Sequence, residues 1–286
     1  MTFAFVQAEK AHHTVRRLCR TLGISPSGFY AWQCRQPSVR RRTDRRLSAY
    51  LRAAHQASRG TYGSPRLHHE LRTRGFRVGR NRVIRLMRQE ALAGRPRRRF
   101  RRTTERDPRA APAPNLLAQC FTVARPNTVW AADITALPTR EGWLYLAVLL
   151  DLYSRRVVGW AIDTQLETRL VLTAWRRALA LRRRAPRQHH SDRGTQYTSA
   201  AYQRALAAQR VRCSMSGRGN CYDNAVVESF FRTLKTDLDH TVWRTRRDGI
   251  VAIGHYINDF YNRRRLHSSL GYRSPVEFER TRRVAA

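Results

Sequence analysis

The stretch WAADITALPTREGWLYLAVLLDLY, residues 130–153, decides the fold. Its second part places Leu144, Leu146, Val148 and Leu150 on one face of an extended chain, and Trp143, Tyr145, Ala147 and Leu149 on the other. Side chains alternate across a strand, so a run that is apolar on both faces predicts a central strand covered from both sides. Trp130 to Leu137 reads as a neighbouring strand and Arg155 to Ile162 as a third. Further on, Glu167 to Leu181 predicts a helix, Arg187 to Ser191 a short strand, Ser199 to Gln209 a helix, and Val211 to Met215 a strand. Asp223 to Leu238 closes the pattern as a long helix. Three strands followed by alternating helix and strand predict a mixed α/β sheet with helices packed on it.

The chain has 286 residues, 42% of them apolar, which is enough for a real core and excludes wholesale disorder. Lys and Arg total 56 against 20 Asp and Glu, a net charge of +36. That balance argues against an ordinary small-molecule enzyme and for a polyanionic partner. Only Lys10 and Lys235 are lysines, so drift toward arginine codons explains part of the excess but not the scarcity of acids. The longest apolar run, Trp143 to Leu150, is too short to span a bilayer, and Met1 to Lys10 lacks the pattern of a signal peptide. The five cysteines (19, 34, 120, 213 and 221) form no C-x-x-C pair, so neither zinc nor a disulfide framework is expected. A reducing cytoplasm is the expected location.

The charge is unevenly laid out. Residues 1–115 hold 28 basic and 6 acidic residues, whereas 116–286 hold 28 and 14. Residues 1–92 read as an all-α region with two helix-turn-helix candidates. In the first, Val15, Leu18, Cys19 and Leu22 share a helical face, Gly23 turns the chain, Ser25 is placed as N-cap, and Pro26 opens a helix over Ser27 to Gln33. The second runs Pro65 to Arg74, turns through Gly75 to Gly79, and continues Arg80 to Glu90. Leu67, Leu71, Val83, Ile84, Leu86 and Met87 have helical spacing there, with Arg80, Arg82, Arg85 and Arg88 toward the other surface. Such a basic helical face is suited to DNA, although paired helices are also common in plain bundles. Residues 93–125, rich in Arg and Pro, read as a linker that is either a solvated tether or an arm tracking phosphates. Residues 126–286 carry the sheet.

Three acids stand in unusual places. Asp133 lies mid-strand among Ala131, Ala132, Ile134 and Ala136, where a charge is costly unless paired or metal-bound. Asp192 ends a short strand, the edge where open-sheet enzymes place their sites. Glu228 sits beside the apolar stripe of Val226, Phe230, Leu234 and Leu238 on the long helix. Singly, each has an ordinary account as a buried hydrogen-bonding acid, a turn residue or a surface helix acid. Together they form an oxygen-only donor set suited to Mg²⁺ or Mn²⁺, and three carboxylates can hold two such ions about 3.5–4 Å apart. In a basic protein that chemistry is directed at phosphodiesters.

Four ordered motifs carry a family resemblance: Trp-Ala-Ala-Asp-Ile-Thr (130–135), His-Ser-Asp-Arg-Gly-Thr-Gln-Tyr (190–197), Asp-Asn-Ala-Val-Val-Glu-Ser-Phe-Phe (223–231) and Tyr-Asn-Arg-Arg-Arg-Leu-His-Ser-Ser-Leu-Gly-Tyr-Arg-Ser-Pro (261–275). With 35 residues between Asp192 and Glu228, the sequence resembles the DDE transposases of bacterial insertion sequences, specifically the second-frame protein of the two-frame, retroviral-integrase-like family. Tyr62-Gly63 and Arg82 to Met87 extend the likeness forward. The resemblance implies a ribonuclease-H-like integrase catalytic core, here preceded by the helix-turn-helix region, with Asp133, Asp192 and Glu228 as a triad for two Mg²⁺ or Mn²⁺ ions. It also implies DNA cleavage and strand transfer at element ends, on double-stranded DNA, by a homo-oligomer that works with, or fused to, the upstream-frame product. Lys235, seven residues after Glu228 and on nearly the same helical face, is a candidate DNA contact, as are Arg193, Arg218, Arg82 and Arg85. Asn224 is a weaker candidate for the same site, Asp151 reads as structural, and His190 as a residue that orients a ligand or phosphate. The Arg263–His267 cluster reads equally as phosphate-binding or as packing. A non-catalytic DNA-binding regulator or inhibitor of transposition, and a nuclease that cuts without joining, are the competing functions.

Overall fold

The computed structural model describes residues 2–95, 113–217, 221–239 and 242–283. The chain opens with six helices: α1 (Thr2–Glu9), α2 (Val15–Thr21), α3 (Pro26–Cys34), α4 (Val39–Ala57), α5 (Ser64–Thr73) and α6 (Arg80–Gln89). Both helix-turn-helix candidates form as their turn and cap residues dictate. Gly23 takes φ +64° between α2 and α3, the Ser25 hydroxyl accepts from Gly28 N, and Pro26 occupies the first turn, where no amide is missed. Gly75, at φ +83°, ends α5 in the left-handed conformation that glycine adopts without strain. Val6, Leu18, Cys19 and Phe29 give α1–α3 a small core.

α4 was not legible in the sequence. Its first half carries arginines on all sides and no apolar stripe, and only Leu47, Ser48 and Leu51 are buried. Tertiary packing against Leu67, Leu71, Val83, Leu86 and Met87 makes this segment a helix. The second helix pair therefore belongs to a three-helix unit, α4–α6.

The sheet comprises β1 (Val129–Thr139), β2 (Gly142–Asp151), β3 (Val157–Asp163), β4 (Gln188–Ser191) and β5 (Arg212–Met215), in spatial order β3-β2-β1-β4-β5. β1–β2 and β2–β3 are antiparallel, while β4 and β5 run parallel to β1. As predicted for a strand apolar on both faces, β2 contributes Leu144, Leu146, Val148 and Leu150 to one core and Ala147 and Leu149 to the other. The second core is closed by α7 (Thr168–Arg182) with α8 (Thr195–Thr198) and α9 (Ala200–Ala208). α7 lies so close that a Cβ on Gly159 of β3 would meet the Ala174 carbonyl oxygen at 2.3 Å. The first core is closed by α10 (Ala225–Asp237), by α11 (Arg246–His255) continuing into a π-helical turn over Tyr256–Tyr261, and by α4–α6. Arg66 Nε donates to the Leu266 carbonyl at 3.0 Å, and Tyr62 Oη accepts from Leu266 N at 2.8 Å. These bonds tie the three-helix unit to the segment after the π turn. Most of the expected linker, residues 96–112, lies outside the described residues.

Asp151, read as structural, is so. It is fully buried and accepts from Asn127 N, Tyr153 N and Arg182. Burial pushes its carboxyl up to about 6, partly offset by those donors. Arg182 of α7 also binds Glu279 of α12 (Pro275–Arg283), which takes a further bond from Arg156 at 2.8 Å. Burial pushes the Glu279 carboxyl up, but the bond from Arg182 and its charge, with the bonds from Ser154 and Arg156, outweigh that and hold it below its usual range. Arg182→Met, which leaves two buried carboxylates without their shared cation, is expected to cost about 3–5 kcal/mol of stability by urea denaturation. A loss below about 1 kcal/mol would show that the cluster does not fasten α12 to the sheet.

Candidate active site

The sheet splits where the acids lie. Parallel pairing of β1 with β4 runs from Val129↔Gln188 to Ala131↔His190 and stops there. Two residues on, Asp133 remains paired only on the β2 side, opposite Val148. On the other lip of the split, β4 ends at Ser191 and Asp192 follows, its Oδ1 accepting from Gly194 N at 3.0 Å. A 3₁₀ turn, Cys221–Asn224, leads into α10, which packs across β1 and carries Glu228 in its first turn.

Electrostatics tie these side chains together. Burial pushes the Asp133 carboxyl well above the usual range and the neighbouring Asp192 adds to it. A bond from Ile134 N works against the rise, Glu228 adds to it again, and Lys235 works against it. Burial lowers the half-buried Lys235 ammonium, and Asp133 counters that loss. The three acids and the lysine, dispersed over about 100 residues of sequence, thus act on one another across the split. Arranged as they stand, no three His, Cys, Asp or Glu side chains among the described residues are gathered around a single ion position. The donor set nevertheless fits a hard divalent cation. It is all carboxylate oxygen, and Asp192 and Glu228 raise the proton affinity of Asp133, a repulsion that a cation relieves.

Beneath the acids lies an aromatic floor that sequence reasoning missed. Tyr197 and Tyr202 meet edge to face at 5.4 Å, Tyr202 meets His189 likewise at 5.4 Å, and Trp175 meets Tyr202 at 6.4 Å. Tyr197 closes the His-Ser-Asp-Arg-Gly-Thr-Gln-Tyr stretch, the one signal that could have revealed it. His190 is engaged by protein groups. It is fully buried, with Nδ1 2.9 Å from the Ser214 hydroxyl and Nε2 3.3 Å from the Ser216 hydroxyl, and so fastens β4 to β5.

The remaining candidates fall as follows. Arg193 Nε donates to the Ser216 carbonyl at 2.8 Å, bracing the turn that follows Asp192. Arg218 lies outside the described residues. Arg82 and Arg85 each bind one oxygen of Asp44, at 2.8 and 2.7 Å, so they are held against α4, while Arg80 and Arg88 are exposed. A groove of about 510 Å³ between α4 and α6 is lined by Arg40, Arg41, Arg45 and Arg85 around that acid. In the Arg263–His267 cluster, Arg265 is buried against Asp237 at 2.6 Å and His267 stacks edge-on to Tyr261, leaving Arg263 and Arg264 exposed. No helix among the described residues is long and apolar enough to cross a membrane.

A five-stranded mixed sheet split beside three acids, with a helical region ahead of it, defines an integrase-type core. Family models agree: two, each described as an integrase core domain, match residues 123–221 and 209–275, and one described as an HTH-like domain matches 42–100. The transposase InsF for insertion sequence IS3A of Escherichia coli (strain K12) is 39% identical over 284 residues, covering 98% of both chains. A 31 kDa protein of insertion element IS600 from Shigella sonnei, uncharacterized by name, is 42% identical over 274 residues, covering 94% of this chain and all of the other. Among solved structures, the catalytic core domain of HTLV-2 integrase in complex with magnesium resembles 54% of this chain and 97% of its own, at TM-score 0.41 and 15% identity. The chain belongs to the IS3-type insertion-sequence transposases, which are DNA transposases with an integrase core.

His189 and His190 supply a measurable signature of this core. Burial lowers the imidazoles to about 3 and about 4, whereas unfolded histidines titrate near 6.5. Below pH 6.5 the unfolded chain therefore takes up protons that the folded chain refuses, and stability falls with acidification. Asp151 and Asp133, both raised, act with the opposite sign, so the informative quantity is a difference between variants. From pH 6.5 to 5, His190→Asn is expected to lose less stability than the parent chain, by up to about 1.4 kcal/mol per pH unit in urea titrations. Parallel pH profiles would show that His190 is not held neutral.

Proposed function

We propose that the chain catalyses divalent-metal-dependent cleavage of DNA at the ends of its insertion sequence, followed by transfer of the freed ends into target DNA. The observation that carries this reading is the place of Asp133, half-buried mid-strand where β1 parts from β4, with Asp192, Glu228 and Lys235 close enough to act on it. Asp133, Asp192 and Glu228 would hold Mg²⁺ or Mn²⁺. Once bound, two such ions would activate the attacking oxygen and neutralise the charge on the leaving oxygen.

The chain's own residues do the rest. The Lys235 ammonium offsets the triad's charge and draws the scissile phosphate toward it. In cleavage, water attacks phosphorus, the bond to the 3′ oxygen breaks, and that oxygen leaves as a hydroxyl. In joining, the 3′-hydroxyl attacks a target phosphodiester, loses its proton, and displaces the target's own 3′ oxygen. No bond to the protein forms, so the protein's contribution is positioning and charge. Arg193, Arg218, Arg82 and Arg85, together with the α4 arginines, would carry duplex DNA, Asp44 fixing where the guanidinium groups of Arg82 and Arg85 lie. A homo-oligomer on DNA in the bacterial cytoplasm, working with the upstream-frame product or fused to it, is the assembly this reading expects.

Asp192→Asn is expected to bind end-containing duplex within about threefold of the parent chain and to yield neither nicked nor joined product with Mg²⁺ or Mn²⁺. Normal strand transfer by this variant would remove the triad from the reaction. Nicks without joined products from the parent chain would indicate a nuclease, and an inert parent supplied with the upstream product would indicate a regulator. Changing Arg40, Arg41 and Arg45 together to Ala is expected to flatten the slope of log affinity against log salt by about 0.9 for each phosphate no longer neutralised, up to about 2.7. An unchanged slope would place the DNA elsewhere.

A further inference from the structure

Asn224 stands at the N-cap position of α10, where an asparagine side chain ordinarily accepts from the first amides of its helix. Here it makes no such bond. The amide reaches across the chain instead, Nδ2 donating to the Ala132 carbonyl of β1 at 3.1 Å in a buried setting. Its Oδ1 is left without a hydrogen-bond partner while the residue is only 5% exposed. A forgone cap and an orphaned buried acceptor both weigh against stability. Local rules broken in this way mark positions held for function rather than for stability.

The far end of the bond shows what is held. Ala132 is the first residue of β1 beyond the last pair with β4, and Asp133 follows it directly. On this lip of the split, β1 has lost its neighbour on one side, and Asn224 serves a carbonyl at that point. Glu228 lies four residues after Asn224, about one turn and 6 Å along the same helix. A single bond therefore joins the backbone that carries one acid to the turn that carries another, across 92 positions of sequence. The adjoining turn is braced as well, since Gly217 N donates to Asp223 Oδ2 at 2.7 Å.

We propose that Asn224 is a positioning residue that latches α10 to β1 and sets the offset between Glu228 and Asp133, so that both can engage the same divalent ion. The inference rests on the metal-dependent reading above and adds to it the element that aligns the site. Loss of groups that orient metal ligands costs about 10–100-fold in ion affinity or activity.

Asn224→Ser separates the latch from a merely structural role. Serine restores a good helix cap but is too short to reach Ala132. If Asn224 only supported the helix, this variant would match the parent chain or exceed it. Without the latch, Mn²⁺ affinity by calorimetry is expected to fall at least tenfold, and kcat for strand transfer to fall with KM for DNA little changed. In the metal-free protein, amide exchange over residues 130–137 is expected to accelerate. Asn224→Asp, isosteric but unable to donate when ionised, is expected to accelerate the same amides, which keeps the test open should the serine variant fold poorly. Parent-like exchange in both variants, or parent-like Mn²⁺ affinity in a stably folded serine variant, overturns the latch. Failure of the parent chain itself to bind Mn²⁺ would overturn the metal-dependent reading instead, while the exchange comparison would still decide whether the bond aligns the two elements.

Discussion

Holding a carboxylate half-buried in the middle of an apolar strand is costly, and the architecture of this protein is organised around that cost. Asp133 sits between strand residues packed from both faces, and its proton affinity rises accordingly. A lone buried acid would be a defect. Here the sheet opens beside it, β4 turning away after Ser191, so the charge faces a cleft bordered by Asp192, Glu228 and Lys235 rather than sealed core. The three acids oppose one another, and only a cationic partner makes their assembly favourable. The +36 charge of the whole chain acts at longer range, drawing a polyanion toward a cleft that is itself acidic.

The surroundings keep that arrangement rigid. Tyr197, five residues after Asp192, packs edge to face on Tyr202, and Arg193 ties the turn to the end of β5. His190, buried and neutral, clamps β4 to β5 through two hydroxyls. Farther away, Arg182 with Asp151 and Glu279 fastens the last helix to the sheet. The three-helix unit α4–α6 shares a continuous apolar core with β1, β2 and α10, so the arginine-rich helices are mechanically joined to the elements that carry the acids.

How much of this could be read in advance follows from whether the signal was local. Strand β2 announced itself through apolar residues on both faces, the first helix-turn-helix through glycine, serine and proline at its turn, and the second through its two glycines. The three acids stood out because charge in an apolar context needs a reason. α4 escaped because its arginine-rich half has no stripe and its helicity comes from partners distant in sequence. The setting of His190 was out of reach because the hydroxyls it meets, Ser214 and Ser216, lie on and just after β5, more than 20 residues away in sequence. The joint grip of Arg82 and Arg85 on Asp44 depends on two helices crossing, which neither helix encodes alone.

Composition, periodicity and motif order by themselves determined that this is a basic protein with a helical front, a mixed sheet behind it, and three acids standing in apolar or strand-end settings. These properties depend on residues near one another or on totals, so a linear reading reaches them. The tertiary structure alone decided which side chains meet: Asn224 on the Ala132 carbonyl, Lys235 within reach of Asp133, Arg182 between two carboxylates. Each such meeting spans tens of residues of chain, and its geometry is set by where β1 and β4 part and how α10 crosses them, which no local pattern specifies.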